Sequence, residues 1–405
     1  MCKTTTPPRP AAQDAIRKLP PNTVAGAVIP LQSYLEKYVG VFSNELVPST
    51  PPTLPPDVDP TAYKRVAISI WPLLGIAVSP YYAGVFDDDT DFSASLVKVA
   101  ALYAAGQILA EAKDAFPGST LATFNGALKA EINANADPRI LTASFPKTSP
   151  VQLLPNTTSI LDISGPKFTS AFNNDLSAMI VQSDDAAAAR VIDALGYGYI
   201  SAVLKEGNFF DPTNGTGVGI WLAGDYSSTH IYVRIPCVND HPDAELTTTR
   251  QMCRMFAMIR KKQVPIRVGG NVDPDINSLM ESLLHEPKGA GGTAPWLLKG
   301  RTGGPTVDPL FSILDDKIGF DGLGAVRSPM VYSEGLIIQW NDASQVMDFN
   351  NKIDPGMANP ATRLSGEIAV CWQNLLADNL STGFNGIVHV LNNAIFDFLE
   401  QAALT

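Results

Sequence analysis

The sequence predicts an α+β fold, with strands from both ends of the chain in one sheet and an all-helical lobe between them. Two observations carry that prediction. Runs rich in β-branched and aromatic residues lie at 65–71 and again at 296–301, 311–318 and 330–340. Between them stand alanine- and leucine-rich segments of helical character, and no repeat of solenoid period divides the chain. At 405 residues, 45% hydrophobic and 17% charged, the chain can bury a large core without a disulfide scaffold.

The elements follow in order. A helix is expected over 31–42, then an extended connector over 45–60, where Pro48, Pro51, Pro52, Pro55, Pro56 and Pro60 break regular structure. Residues 1–60 therefore read as a proline-rich extension. Strands at 65–71 and 83–86 come next, and Asp87, Asp88, Asp89 and Asp91 read as a solvated turn. A helix over 95–113 is apolar nearly all round, which marks it as buried, with Ser93 and Ser95 as cap candidates. Residues 119–182 look helical with long loops, and alanine-rich and short helices follow at 183–195 and 197–205. A Gly/Asn-rich loop spans 207–224. A further helix over 246–260 opens on the cap candidates Thr247, Thr248 and Thr249, and another is expected at 276–284. After the three later strands, 363–380 and 386–403 read as helices. One unit is thus expected over 61–345, with a sheet lobe (61–90 and 293–345) around a helical lobe (91–292). Residues 346–405 add C-terminal helices packed on the sheet lobe.

Charge and cysteine usage exclude several classes. With 29 Lys and Arg against 40 Asp and Glu, the net charge is −11, and no basic stripe is present to bind nucleic acid. The longest mainly apolar stretch, 66–78, is too short for a transmembrane helix. Cys2, Cys237, Cys253 and Cys371 form no C-x-x-C pair, and the histidines are scattered, so no zinc site is expected. Cys2 ahead of a Thr/Pro-rich stretch fits a periplasmic lipoprotein as well as a cytoplasmic N-terminus. Asp273, Asp275 and Asn277 imitate a calcium loop, but Ser278 stands at its sixth position and Leu284 at its twelfth. Gly215, Gly217 and Gly219 lack the strand-to-helix frame of a dinucleotide site. His230, His241, His285 and His389 lack a triad context.

Three motifs carry chemistry. Ser95-Leu-Val-Lys98 puts a hydroxyl and an amine three residues apart at the start of the buried helix, on one face. Desolvation lowers a lysine's proton affinity and lets it serve as base to a serine, while the helix N-terminus offers N–H groups to an oxyanion. Two other S-x-x-K matches, Ser144 to Lys147 and Ser164 to Lys167, carry Pro before Lys in loop-like sequence. Ser183-Asp184-Asp185 opens the alanine-rich helix, where a cap is the plainer role. Lys299-Gly-Arg-Thr-Gly-Gly304 falls at the end of a predicted strand.

In this order and context, the three motifs resemble the S-x-x-K, S-D-N and K-T-G set of the penicillin-recognising serine hydrolases. That group holds the serine β-lactamases, class A among them, the D,D-peptidases and related esterases. The resemblance covers 63–340 and extends to the last helix. It implies the β-lactamase/transpeptidase-like arrangement of an antiparallel sheet flanked by helices. It further implies a serine hydrolase acting through an acyl-enzyme on an amide or ester, with no cofactor and a small-molecule or peptide-like substrate bearing a carboxylate.

Carried across, Ser95 would be the nucleophile, Lys98 its base and Ser183 a proton relay. Asp185, Arg301, Thr302 and Gly303 would contact substrate, and the backbone N–H groups of Ser95 and Gly304 would form the oxyanion hole. Asp185 stands where the group has Asn, and Arg301 where it has Lys. The loop over 206–221 holds Glu206 and Asp211 but no Glu-x-x-x-Asn pattern to hold a hydrolytic water. That departure implies slow acyl-enzyme breakdown, with a catalytically weak binding or sensor protein on the same fold as the alternative.

Overall fold

The computed structural model describes residues 31–46, 54, 61–75, 81–143, 153–162, 164–211, 218–224, 226, 233–235, 237–239, 245–265, 272–285, 311–322, 329–353, 363–377 and 381–404. Helix α1 (Leu31–Leu46) precedes strands β1 (Ala67–Leu74), β2 (Ala83–Val85) and β3 (Asp91–Phe92). A 3-10 turn, Ala94–Val97, runs straight into α2 (Lys98–Ala115). Then come α3 (Leu121–Asn135), α4 (Pro138–Leu141), α5 (Thr157–Ile160), β4 (Leu161–Asp162), β5 (Lys167–Phe168) and α6 (Ser170–Ser177). A π-helical turn, Ala178–Gln182, leads to α7 (Asp185–Leu195) and α8 (Tyr197–Glu206). Short strands β6 (Phe210–Asp211), β7 (Val218–Gly219), β8 (Trp221–Leu222) and β9 (Glu245–Thr247) precede α9 (Thr249–Arg260) and α10 (Pro274–His285). The chain closes through β10 (Phe311–Gly322), β11 (Met330–Trp340), α11 (Ala343–Ile353), β12 (Leu364–Ala377) and α12 (Ser381–Leu404).

These elements make the predicted α+β arrangement. Five strands form one antiparallel sheet in the order β10-β11-β12-β1-β2, so both ends of the described chain do meet in it. Two cores lie on its faces. Ala369 and Cys371 of β12 join the helical lobe around α2, whereas Ile368, Val370 and Trp372 turn to the opposite core with α1 and α12. Alternation over two buried faces leaves the middle of β12, Ile368 to Trp372, continuously apolar.

That explains one misreading. Residues 363–380 were expected to be helical, but most of them form β12, a central strand between β11 and β1. A short apolar run buried on both sides has no polar face to reveal its period. The C-terminal segment is therefore part of the sheet as well as its helical cover.

The N-terminal extension also joins the fold from its first described residue. Leu31, Tyr34 and Leu35 of α1 are buried in one core with Ile68 and Ile70 of β1 and Leu391 and Ile395 of α12. Burying each such aliphatic side chain contributes about 1.5–3 kcal/mol.

The acidic cluster is a second correction. Asp87 and Asp91 are buried, not solvated. The Asp87 carboxylate pairs with the Arg250 guanidinium at 2.7 Å and accepts from the Tyr82 hydroxyl, tying the β2 turn to α9. Helix α2 is buried along nearly its whole length, as predicted, but neither Ser93 nor Ser95 caps it with a side-chain hydrogen bond. Thr248 does cap α9, accepting from the Gln251 N–H. Among the described residues, Ala94–Ala115 is the one helix long and apolar enough to cross a membrane, and it lies inside the fold.

Candidate active site

Ser95 sits in the 3-10 turn that starts α2, where the sheet edge meets the helical lobe. The preceding Ala94 holds φ at +50°, a left-handed conformation that costs an alanine about 1 kcal/mol and is tolerated where surrounding structure imposes it. The imposing element is β10. Gly319 on this edge strand lies so close to the turn that a Cβ there would stand 2.3 Å from the Ser93 carbonyl oxygen. From β11, the Ser333 hydroxyl donates to that same carbonyl at 2.6 Å.

Lys98, in the first turn of α2, is fully buried. Its Nζ donates to the Ser183 carbonyl at 2.7 Å, to Asp185 Oδ1 at 2.7 Å and, at 3.3 Å, to Ser183 Oγ. Burial draws the ammonium below the usual lysine range, against the hydrogen bond and charge of Asp185 and the charges of Glu245 and Asp184. The cap of α7 is Asp184, whose carboxylate accepts from the Ala187 N–H at 2.7 Å. That leaves Ser183 outside the helix, at φ +57°, with its side chain toward the two lysines.

The second lysine is Lys317 of β10, buried, whose Nζ donates to Ser183 Oγ at 2.7 Å and to the Ile318 carbonyl at 2.9 Å. Sequence reasoning missed it. Arg301, Thr302 and Gly303, expected to contact substrate, and Gly304, expected in the oxyanion hole, lie outside the described residues, as do residues 296–301 of the expected strand. A usable signal was present: Lys317-Ile-Gly319 is a K-x-G inside a run already read as a strand, with Ile where the pattern has Thr.

Ser95 Oγ is not bonded to Lys98 as the motif spacing suggested. Its hydrogen-bond partner is the hydroxyl of Tyr226, 3.2 Å away, a residue no motif pointed to. The Lys98 ammonium lies over the Tyr226 ring, 5.0 Å from its centroid. The calcium-like triplet is structural: Asp273 accepts from the backbone N–H groups of Asp275 and Ile276 at the start of α10, and Asn277 donates to two carbonyls. Among the described residues, no three His, Cys, Asp or Glu side chains gather as metal ligands.

The fold and site together define an α+β protein with a serine–lysine–serine cluster at the edge of its sheet. No protein-family model matches the chain, and no curated protein matches it. Among solved structures, it is similar to a class A β-lactamase from Bacteroides cellulosilyticus, at 10% identity and a TM-score of 0.45, covering 91% of this chain and 99% of that one. It is also similar to a β-lactamase from Chitinophaga pinensis, at 8% identity and a TM-score of 0.43, covering 89% and 97%. A third likeness is to the last common ancestor of Gram-negative bacteria class A β-lactamase, at 13% identity and 0.42, over 90% and 99%.

Proposed function

We propose that the chain is a serine hydrolase that forms an acyl-enzyme on Ser95 from an amide or ester standing beside a carboxylate. One observation carries the reading: Ser183 Oγ receives hydrogen bonds from two buried lysines, Lys317 of β10 and Lys98, which lies in the first turn of the helix that follows Ser95. With both lone pairs so engaged, the Ser183 hydroxyl proton is left to be given away.

In this mechanism neutral Lys98 takes the Ser95 proton as Oγ attacks the substrate carbonyl. The Oγ–C bond forms, the bond to the leaving nitrogen or oxygen breaks, and Ser183 passes its proton to that leaving atom while Lys98 hands the proton taken from Ser95 to Ser183 Oγ, leaving Lys98 neutral again. Lys98 is not bonded to Ser95 before substrate arrives, and such catalytic hydrogen bonds commonly close only in the complex. The Ser95 N–H at the helix start supplies one oxyanion donor. On β10, Phe320 follows Gly319 as Gly304 follows Gly303, and its backbone takes over the second place. Lys317 attracts the substrate carboxylate, the role first assigned to Arg301 and Thr302.

The test is to incubate the chain with a fluorescent penicillin or a fluorophosphonate and map the adduct by mass spectrometry. The expected adduct is on Ser95. No adduct, or one that a Ser95→Ala variant carries equally, overturns the reading. A second reading, a weakly turning-over binding or sensor protein, is favoured by Asp185, an acceptor where an amide donor is usual, and by Tyr226 at the serine. An adduct that persists for hours supports it.

The Asp185 charge holds the Lys98 pKa up, so replacing it by Asn should deepen the lowering that burial begins. A lower pKa means more neutral Lys98 at a given pH, so the rise of acylation rate with pH should move to lower pH in Asp185→Asn. Below the midpoint the rate should increase roughly three- to tenfold. A pH–rate profile of adduct formation checks this, and a shift to higher pH refutes it.

A further inference from the structure

We propose that Tyr226 sets the lifetime of the acyl-enzyme by filling, with its own hydroxyl, the space beside Ser95 Oγ that a deacylating water would need. The inference rests on the acyl-serine reading above. Tyr226 OH is 3.2 Å from Ser95 Oγ, a long hydrogen bond that leaves no room for a water between the two oxygens. Two fixings hold it there. The Lys98 ammonium lies over its ring, and the Val233 N–H donates to the Ala223 carbonyl at 3.1 Å, tying together residues that precede and follow Tyr226 in the chain. The Trp221 indole N–H also donates to the Val233 carbonyl, at 3.0 Å.

A phenol so placed excludes water without replacing it as a base. Burial, and then the charge of Glu245, hold the Tyr226 hydroxyl well above the usual tyrosine range, so it stays protonated at neutral pH. Deacylation requires water to add to the ester carbon, the C–Oγ bond to break, one water proton to return to Oγ and the other to leave with the carboxylic acid. A neutral phenol beside Oγ can donate to the ester oxygen but takes no proton from water. Glu245, on β9, is buried, and its charge acts on both Lys98 and Tyr226.

The experiment compares wild type, Tyr226→Phe and Tyr226→Ala. Each is labelled with a penicillin, freed of excess reagent, and followed by intact mass, with thermal melts run alongside. Both variants should acylate Ser95 at rates within a few-fold of wild type. The adduct half-life should fall about tenfold or more in Tyr226→Phe and further in Tyr226→Ala. A merely structural role would lower the melting temperature and leave the half-life unmoved, which overturns the proposal. Longer half-lives also overturn it, since Tyr226 would then be assisting hydrolysis. If wild type labels on Ser95 and the half-lives do not move, Tyr226 alone is wrong. If none of the three labels on Ser95, the acyl-serine reading falls and Tyr226 with it.

Discussion

Replacing Lys98 by alanine should slow acylation of Ser95 by roughly 10²–10⁴-fold while leaving the chain folded, the range that loss of a positioned general base commonly costs. Two features make this a clean test. Lys98 Nζ is fully buried, but its ion-pair partner Asp185 is 70% exposed, so the substitution leaves that carboxylate solvated rather than stranded. The Ser183 hydroxyl keeps Lys317 as a donor at 2.7 Å, so that hydrogen bond of the site survives. What disappears is the amine that burial keeps easy to deprotonate. The rate constant for incorporating a fluorescent penicillin, measured beside a thermal melt, decides the matter. A loss of less than threefold with an unchanged melt would remove Lys98 from the mechanism. The remaining rate should also lose the rise with pH that neutral Lys98 imposes on the wild type.

The second large effect is expected at Gly319. A valine there would place Cβ 2.3 Å from the Ser93 carbonyl oxygen and 2.6 Å from the Leu96 nitrogen, both backbone atoms that cannot swing aside. Either β10 lifts off the turn or the turn moves, and both displace Ser95 relative to Lys317. Overpacking of this kind costs about 1–3 kcal/mol. Gly319→Val should therefore show a lowered melting temperature together with loss of Ser95 labelling. Gly126→Ala, in exposed α3 sequence where an added Cβ meets nothing within 4 Å, serves as the control and should melt no lower than wild type. Equal melts for Gly319→Val and the control would show that the close approach is not structurally required.

Much of the architecture was legible because its signals are local. The buried helix after Ser95, the alanine-rich helix after Ser183 and the long strands β10 and β11 stand near their expected places. The failures concern residues whose meaning depends on distant neighbours. Asp87 looked solvated until the fold brought Arg250 against it, and residues 363–380 looked helical until β11 and β1 flanked them.

The site divides in the same way. Ser95, Lys98, Ser183 and Asp185 could be picked from sequence because short motifs carry them, and hydrogen bonds join Lys98 to Ser183 and Asp185. Lys317 and Tyr226 carry no such mark. A strand lysine becomes chemical only when strand register aims it at Ser183, and Tyr226 only when the fold sets its hydroxyl against Ser95. The sequence by itself determined the buried and alanine-rich helices, the strands at 311–318 and 330–340, and where a serine and lysine share a helix start, because helix and strand period are properties of neighbouring residues. The tertiary structure alone decided which lysine faces the second serine and which hydroxyl touches the first, because those contacts join residues more than a hundred positions apart.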